Sequence, residues 1–299
     1  MGLRPALKAD LSLLGIAAVW GSTFVVVKRA LDDASPFVFL VWRFAIAAAA
    51  LAWIYRRNIF PVRREHIRDG GILGLLLCIG FGFQTLGLLH TTPSRSAFLT
   101  GLYVVAVPII AAILRLRGLT PGSLVGASLA TAGMYLLTGG GDPEAPGGAA
   151  GLGRGEALTL MCALAFAAHI IGVDIFTRRH DARSLAFWQV AGAGALCVPL
   201  AAFAETPRME PTPALLAAIA VCALGGTALA FAVQNAVQAK TTPARTAIIF
   251  ATEPVFAAAT SYVVEGETLA PRAIGGAVLI LFGMLAAEMP GPRSSGTAE

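Results

Sequence analysis

Residues 81–95 read FGFQTLGLLHTTPSR, and residues 231–245 read FAVQNAVQAKTTPAR. Both stretches contain an initial Phe, a Gln three residues later and the run Thr-Thr-Pro-x-Arg, at an offset of 150 residues. The correspondence continues to residues 134 and 284, and 15 of the 54 aligned pairs are identical without a gap. This internal repeat predicts that the chain is built from two halves of similar structure.

The composition indicates a membrane protein. Of the 299 residues, 57% are hydrophobic and 13% are charged, whereas soluble domains carry about 25% charged residues. The net charge of +5 does not indicate a nucleic-acid partner, because most of the arginines lie in short loops between apolar runs. The four cysteines are far apart within apolar runs, so we interpret them as packing residues rather than as metal ligands or disulfides.

Ten apolar segments have about the 20 residues that a helix needs to cross a bilayer. The predicted spans are residues 11–31, 36–55, 70–89, 95–114, 119–138, 155–176, 184–204, 213–238, 245–264 and 270–288. The one long connection, residues 139–153, is rich in Gly and Pro and predicts a flexible linker. It separates a first repeat, 1–138, from a second repeat, 154–289, and the polar tail 290–299 is predicted to be disordered.

Lys and Arg residues predict the orientation. With ten spans both termini lie on one side, and that side holds 15 of these cations, against six on the other and Arg43 within a span. This bias predicts cytoplasmic N- and C-termini. Because each repeat has an odd number of spans, the two repeats should be inverted. Arg115 and Arg117 correspond to Glu265 and Glu267, a change of sign that agrees with inversion.

The chain resembles the EamA family of the drug/metabolite transporter superfamily from about residue 11 to 288. The motifs that carry the resemblance are AVWGSTF at 18–24 followed by Lys28, WRF at 42–44, SAFL at 96–99 followed by Pro108, and TEPV at 252–255. The resemblance implies an all-α membrane protein with ten transmembrane helices in two inverted five-helix repeats. It also implies export or exchange of small metabolites. Many members have a proline where this chain has Val104, opposite Pro254 in the repeat, which weakens any gating argument based on paired prolines.

Two ionisable residues lie deep in predicted spans, where a charge is costly and therefore suggests function. Glu253 is near the middle of span nine, and we interpret it as a proton-coupling or cation-recognising carboxylate. The alternative is a permanent ion pair with Arg43, or a carboxylate that satisfies backbone groups freed by Pro254. Arg43 in turn either binds a substrate carboxylate through its guanidinium or bridges helices as a fixed charge.

Further candidate substrate-binding residues are polar or aromatic groups within spans. Gln84 and Gln234 occupy equivalent repeat positions, which suggests a site between the halves; a plain interhelical hydrogen bond is the alternative. His169 is central in span six, where packing is the alternative role. The complete predicted set is Trp20, Ser22, Thr23, Phe24, Arg43, Gln84, Tyr103, His169, Gln234 and Asn235, with Glu253 as the coupling group.

These observations predict a secondary transporter that works by alternating access, with protons as a candidate coupling ion. Its substrates would be amino acids, their derivatives, or drug-like and cationic compounds. The alternatives are a channel or facilitator without coupling and, less well supported, an integral membrane enzyme; no filter-like element and no nucleotide-binding or hydrolase motif is present in the sequence. We expect no catalytic residues, no metal and no cofactor. The expected setting is the bacterial cytoplasmic (inner) membrane, with the lipid bilayer and a small-molecule substrate as partners and a monomer or homodimer as the assembly.

Overall fold

A computed structural model describes residues 5–60, 62–116, 120–137, 153–266 and 270–287. Within these ranges the chain is helical throughout, apart from short connections and an isolated bridge between Ala34 and Met209. The predicted linker, except Gly153, and the predicted tail lie outside the described residues. The helices are α1 (Pro5–Asp33), α2 (Pro36–Ile59), α3 (Arg64–Leu88), α4 (Pro93–Thr100), α5 (Tyr103–Ile113), α6 (Pro121–Leu137), α7 (Arg154–Phe176), α8 (Ala182–Phe203), α9 (Pro213–Ala223), α10 (Ala230–Gln238), α11 (Pro243–Phe250), α12 (Glu253–Glu265) and α13 (Pro271–Ala287).

The thirteen helices form the ten predicted spans. Eight continuous or broken helical segments are long and apolar enough to cross a membrane, and α6 and α13 contribute two shorter apolar helices. Span four is divided into α4 and α5, and span nine into α11 and α12. In span eight, a π-helical segment, Leu224–Leu229, joins α9 to α10. The predicted ten-span, all-α fold is therefore confirmed, and the two breaks and the π-helical segment are features that hydropathy did not predict.

The two halves of the fold, α1–α6 and α7–α13, repeat one another in detail. Pro93–Thr100 corresponds to Pro243–Phe250 at an offset of 150 residues, and both helices begin after a threonine cap. Thr92 Oγ1 accepts from the backbone N–H of Arg95 at 3.3 Å, and Thr242 Oγ1 accepts from that of Arg245 at 3.2 Å. A proline in the first turn supports each helix start, since its missing N–H has no helical partner there.

The last helix of each half packs against the other through glycine. A Cβ atom at Gly133 would lie 2.5 Å from Gly276 O, and one at Gly283 would lie 2.7 Å from Gly126 O. The two contacts are equivalent because each residue of the first lies 150 positions from its counterpart in the second. This reciprocal packing of α6 on α13 is a two-fold relation between the halves.

Two of the further contacts between the halves involve α2 and α3 and position the centre of the molecule. Helix α3 packs against α7 and α8, and α2 packs against α8, α9 and the π-helical segment. At α3–α8 the backbones approach closely, because a Cβ atom at Gly74 would lie 2.8 Å from both Ala193 N and Gln189 O. Small residues allow such close approach of helices within a bilayer.

Candidate functional site

A cavity lies between the two halves of the bundle. Its walls come from α1, α3, α5, α7, α10, α11 and α12. It contains about 450 Å³ of space between atoms, part of which is open to solvent. The lining residues are Trp20, Thr23, Phe24, Phe81, Gln84, Tyr103, Phe166, His169, Ile170, Phe231, Gln234, Phe250 and Glu253.

Glu253 provides a carboxylate in the cavity wall, and it contacts Tyr103, the residue at the equivalent position of the first repeat. The Tyr103 hydroxyl donates a hydrogen bond of 3.0 Å to Glu253 Oε1, and the two residues are 150 positions apart. Each is the first residue after the break in its span, at the start of α5 and of α12. A Cβ atom at Gly21 of α1 would collide with Glu253 O, so the glycine allows α1 to pack directly on the segment that carries the carboxylate.

Gln84 and Gln234 both line the cavity, and within the described part of the chain only Gln234 has a hydrogen-bond partner. Gln238 donates through Nε2 to the backbone carbonyl of Ile170. Its Oε1 therefore accepts, and Gln234 Nε2 donates to it at 3.0 Å. Gln234 Oε1 is buried and has no hydrogen-bond partner. Since a carbonyl can only accept, the Ile170 carbonyl fixes the orientation of both amides. The hydrogen-bonded series from the Ile170 carbonyl through Gln238 to Gln234 is called here the first relay.

His169 belongs to a second relay of buried amides. Asn235 Nδ2 donates to the Ala182 carbonyl at 3.3 Å, and Asn235 Oδ1 accepts from Gln189 Nε2 at 3.2 Å. Gln189 Oε1 then lies 2.7 Å from His169 Nε2. An amide oxygen is only an acceptor, so the proton of the neutral ring must be on Nε2, and Nδ1 carries the lone pair.

Arg43 does not line the cavity and does not pair with Glu253. Its side chain is buried, with its guanidinium carbon 4.3 Å from the centre of the Phe81 ring. Arg43 Nε donates to Thr227 Oγ1 at 2.8 Å, and Nη2 donates to Gly226 O at 3.3 Å. Both partners lie in the π-helical segment, which thus explains how a guanidinium is accommodated there. The fixed-charge role, rather than the ion pair with Glu253, is the one that these contacts match.

The same π-helical segment positions the tryptophan of the cavity. Trp20 Nε1 donates to Gly226 O at 2.7 Å, so this carbonyl accepts from two side chains. A π-helical turn frees backbone groups that an α-helix would use internally, and such turns are frequent at functional sites. The Trp20 ring meets Phe250 edge-on at a centroid distance of 4.9 Å, which leaves an aromatic wall on this side of the cavity.

Eight of the eleven predicted site residues line the cavity. The other three are Ser22, Arg43 and Asn235. Ser22 lies in a separate groove between α1 and α9, where it accepts a hydrogen bond from Thr260 at 3.1 Å. Thr23 lines both this groove and the cavity. Asn235 is one layer behind the wall, within the His169 relay.

Several residues that shape the cavity were not among the predicted ones. Phe81 and Phe231 occupy equivalent repeat positions, and that signal was present in the sequence. Phe166, Ile170 and Phe250 gave no such signal, because a single apolar residue in a span has no distinguishing pattern. Gln189 and Gln238 of the relays were likewise missed, and their importance depends on neighbours distant in sequence.

Two equivalent ion pairs lie at opposite ends of the bundle. Arg95 Nε is 3.1 Å from Glu156 Oε1 at the start of α7, and Arg245 Nη2 is 2.7 Å from Asp10 Oδ2 near the start of α1. Lys28 marks the far end of α1, and its Nζ donates to Leu88 O, close to the Glu156 pair. Eighteen residues of helix separate Asp10 from Lys28, or about 27 Å at 1.5 Å per residue. The starts of α1 and α7 thus lie at opposite ends, as inversion requires.

Within the described residues, no group of three or more His, Cys, Asp or Glu side chains is arranged to hold a metal ion. The cysteines at 78 and 197 approach to 3.7 Å between sulfur atoms, and all four cysteines are free and buried. These contacts fit packing between apolar helices.

Comparison with known proteins gives results consistent with this architecture. Residues 7–139 and 153–287 each match the model of the EamA-like transporter family. An uncharacterized transporter of Archaeoglobus fulgidus is 35% identical over 279 residues, covering 93% of this chain and 85% of the relative. The uncharacterized transporter YyaM of Bacillus subtilis is 31% identical over 132 residues, 42% of either chain.

A crystal structure of another protein has a similar fold, with a TM-score of 0.76 and 18% identity over 94% of this chain and 96% of that one. Apolar helices of membrane length and two family matches that together span most of the sequence lead to the same conclusion. The chain is an integral membrane protein that belongs to the EamA-like transporter family.

Proposed function

We propose that this protein is a secondary transporter that exports or exchanges small metabolites across the bacterial cytoplasmic membrane by alternating access. The observation that carries the proposal is one central cavity with an equivalent Arg–carboxylate pair toward each end of the bundle. A carrier needs a site that two barriers separate from the two sides in turn. Because the two halves are related by a pseudo-two-fold axis, a barrier formed on one side of the cavity has an equivalent on the other side.

The ion pairs are suited to opening and closing. Arg95 and Glu156 side chains are 17% and 9% exposed, and Arg245 and Asp10 are 37% and 27% exposed. The more exposed Arg245–Asp10 pair contributes only about 0–1 kcal/mol, so it can break during a transport cycle at small cost. Breaking the largely buried Arg95–Glu156 pair requires that water reach both charges. Both pairs are formed in this structure, one toward each end of the bundle.

The moving units in this proposal are the two repeats, 1–138 and 154–289, with the segment between them as linker. Rocking of one repeat against the other would break the Glu156 pair in the outward-open state and the Asp10 pair in the inward-open state. The termini and the Asp10 pair are assigned to the cytoplasmic side because of the distribution of Lys and Arg.

Coupling is assigned to Glu253. It is the one acidic residue among those that line the cavity, and its only hydrogen-bond partner within the described residues is Tyr103. A carboxylate at membrane depth is costly unless its charge or hydrogen bonding is used. A proton that Glu253 takes up on one side and releases on the other would couple substrate movement to the proton gradient.

Cysteine accessibility tests the proposal without knowledge of the substrate. Ile170→Cys places a thiol in the cavity wall of a protein in which the four native cysteines have been replaced. Labelling by an impermeant thiol reagent is measured from each side, in right-side-out and inside-out vesicles. Arg95→Gln and Arg245→Gln are the matched variants, since they remove equivalent pairs.

We expect Arg95→Gln to increase labelling from the periplasmic side and to decrease it from the cytoplasmic side. Arg245→Gln should have the opposite effect. Labelling of one variant from both sides together, accompanied by single-channel conductance in planar bilayers, would contradict alternating access and favour a channel. An unchanged pattern in both variants would show that the pairs do not act as barriers.

A further inference from the structure

The cavity is lined by hydrogen-bond acceptors whose orientation the surrounding structure fixes. The first relay begins at the Ile170 carbonyl and ends at Gln234 Oε1, which is buried and has no partner. The second begins at the Ala182 carbonyl and ends at His169, whose neutral ring then has its lone pair on Nδ1. In each relay an amide N–H donates to a backbone carbonyl, and the oxygen of the same amide accepts from the next side chain. The last side chain therefore uses its N–H within the relay and has an acceptor atom left over.

Glu253 adds a third acceptor to the same wall. Its Oε1 accepts from Tyr103, and Oε2 makes no hydrogen bond with the described residues. Among the described residues that line the cavity none is Lys or Arg, and the Arg43 guanidinium is held by Thr227 and Gly226 on the π-helical segment. Gln84 is the other lining amide; it has no hydrogen-bond partner among the described residues and can turn either its N–H₂ group or its oxygen to the cavity. A buried acceptor without a donor costs about 1–3 kcal/mol, so this site favours a ligand rich in N–H groups.

The rest of the wall is aromatic. Trp20, Phe81, Phe166, Phe231 and Phe250 line the cavity together with Tyr103. Aromatic faces attract cations within about 6 Å of the ring centre, and their apolar surface favours a hydrophobic ligand body. A ligand carboxylate would have to give up its hydration in this cavity without a basic side chain to receive it, which is costly.

We propose that the cavity binds small apolar or aromatic amines in their protonated primary form, with the ammonium group donating to Glu253, Gln234 Oε1 and His169 Nδ1. A primary ammonium has three N–H donors, the same number as these acceptors. A quaternary ammonium has the same charge but no donor, and an amino acid adds a carboxylate. The proposal rests on the transport function proposed above, because it names the cargo of that cavity.

Three probes of similar size separate these possibilities: 2-phenylethylamine, trimethyl(2-phenylethyl)ammonium and L-phenylalanine. Their affinities for the purified protein are measured by isothermal titration calorimetry, and exchange is measured by counterflow in liposomes. We expect the primary amine to bind at least about tenfold more tightly than the other two, since a hydrogen bond to a charged group is worth at least that factor.

Two amide variants then test the acceptor itself. Gln234→Leu should abolish the preference for the primary over the quaternary amine. Asn58→Leu removes an amide outside the cavity and should keep that ratio. Thermal melting of both variants checks that each is folded, and the probe comparison on the unaltered protein does not depend on them.

L-Phenylalanine binding as tightly as the amine would overturn the proposal, because the cavity would then recognise a carboxylate. Equal binding of the primary and quaternary amines would overturn it as well, because the fixed acceptors would have no role. Absence of binding of all three would reject this substrate class. Alternating labelling in the cysteine experiment would still support transport in that case, so the two proposals fail separately.

Discussion

Tyr103 and Glu253 are equivalent residues of the two repeats, and they form a hydrogen bond of 3.0 Å with each other. Two equivalent positions can meet only close to the axis that relates the halves. The residues that break the symmetry of the cavity therefore lie at its centre: a phenol from the first half and a carboxyl from the second. Glu253 therefore contacts both halves of the fold at the cavity wall.

Replacement of Glu253 by Gln should separate coupling from exchange. The amide oxygen can still accept from Tyr103, so the fold should persist. We expect uphill transport driven by a proton gradient to fall at least about tenfold, the effect of about 1.4 kcal/mol. Substrate exchange without a gradient should continue but require a higher amine concentration, because the amide no longer offers a charge to the ammonium group. Both rates are measured in liposomes with an imposed pH difference. Glu210→Gln changes an exposed carboxylate and is the control. Normal proton-driven accumulation by Glu253→Gln would exclude the coupling role.

Arg43 should contribute to stability through the π-helical segment. Thr227→Val removes the acceptor of Arg43 Nε and leaves a buried charged donor unsatisfied, at a cost of about 1–3 kcal/mol. The expected result is a lower melting temperature of the purified protein. Thr131→Val is the control, because its hydroxyl bonds only to Ala127 O within its own helix.

A second measurement distinguishes this role of Arg43 from pairing with Glu253. The two side chains have different partners, so the stability losses of Arg43→Gln and Glu253→Gln should add in the double variant within about 0.5 kcal/mol. A double variant that is more stable than Arg43→Gln alone would instead indicate direct coupling between the two charges.

The glycines at the α6–α13 contact should tolerate no side chain. Gly133→Ala and Gly283→Ala each place a Cβ atom against a backbone carbonyl, and overpacking of this kind costs about 1–3 kcal/mol. Gly275→Ala in the same helix pair meets no atom within 4 Å and should be neutral or slightly stabilising. Thermal melting of the three variants gives the comparison. Equal melting temperatures of the three variants would contradict close packing of α6 against α13 at Gly133 and Gly283.

The topology is a separate prediction. Arg57→Cys, in the last turn of α2, should react with an impermeant thiol reagent only in inside-out vesicles. Ala149→Cys, in the connection between the repeats, should react only from the periplasmic side. The charge distribution is the reason for both expectations. Labelling of Arg57→Cys in intact right-side-out vesicles would reverse the assigned orientation.

Repetition and hydropathy predicted the architecture well because both are properties of whole segments. They identified ten spans, two inverted halves and most of the cavity-lining residues, including the pair Gln84 and Gln234. They did not predict the role of Gln189 or Gln238. Which way such an amide orients its N–H₂ group and its oxygen depends on the backbone carbonyl at the start of its relay, which is distant in sequence. Arg43 shows the same limit: its sequence position indicated burial, but not that its partners would be in a π-helical turn.

The π-helical segment also makes the two halves mechanically unequal. Arg43 ties α2 to this segment by two hydrogen bonds. At the equivalent contact between α8 and α3, a hydrogen bond between Ser184 and His66 lies near the helix starts, and the backbones meet further along at Ala193 and Gly74. We therefore expect the α2 contact to move less than the α8 contact when the halves rearrange.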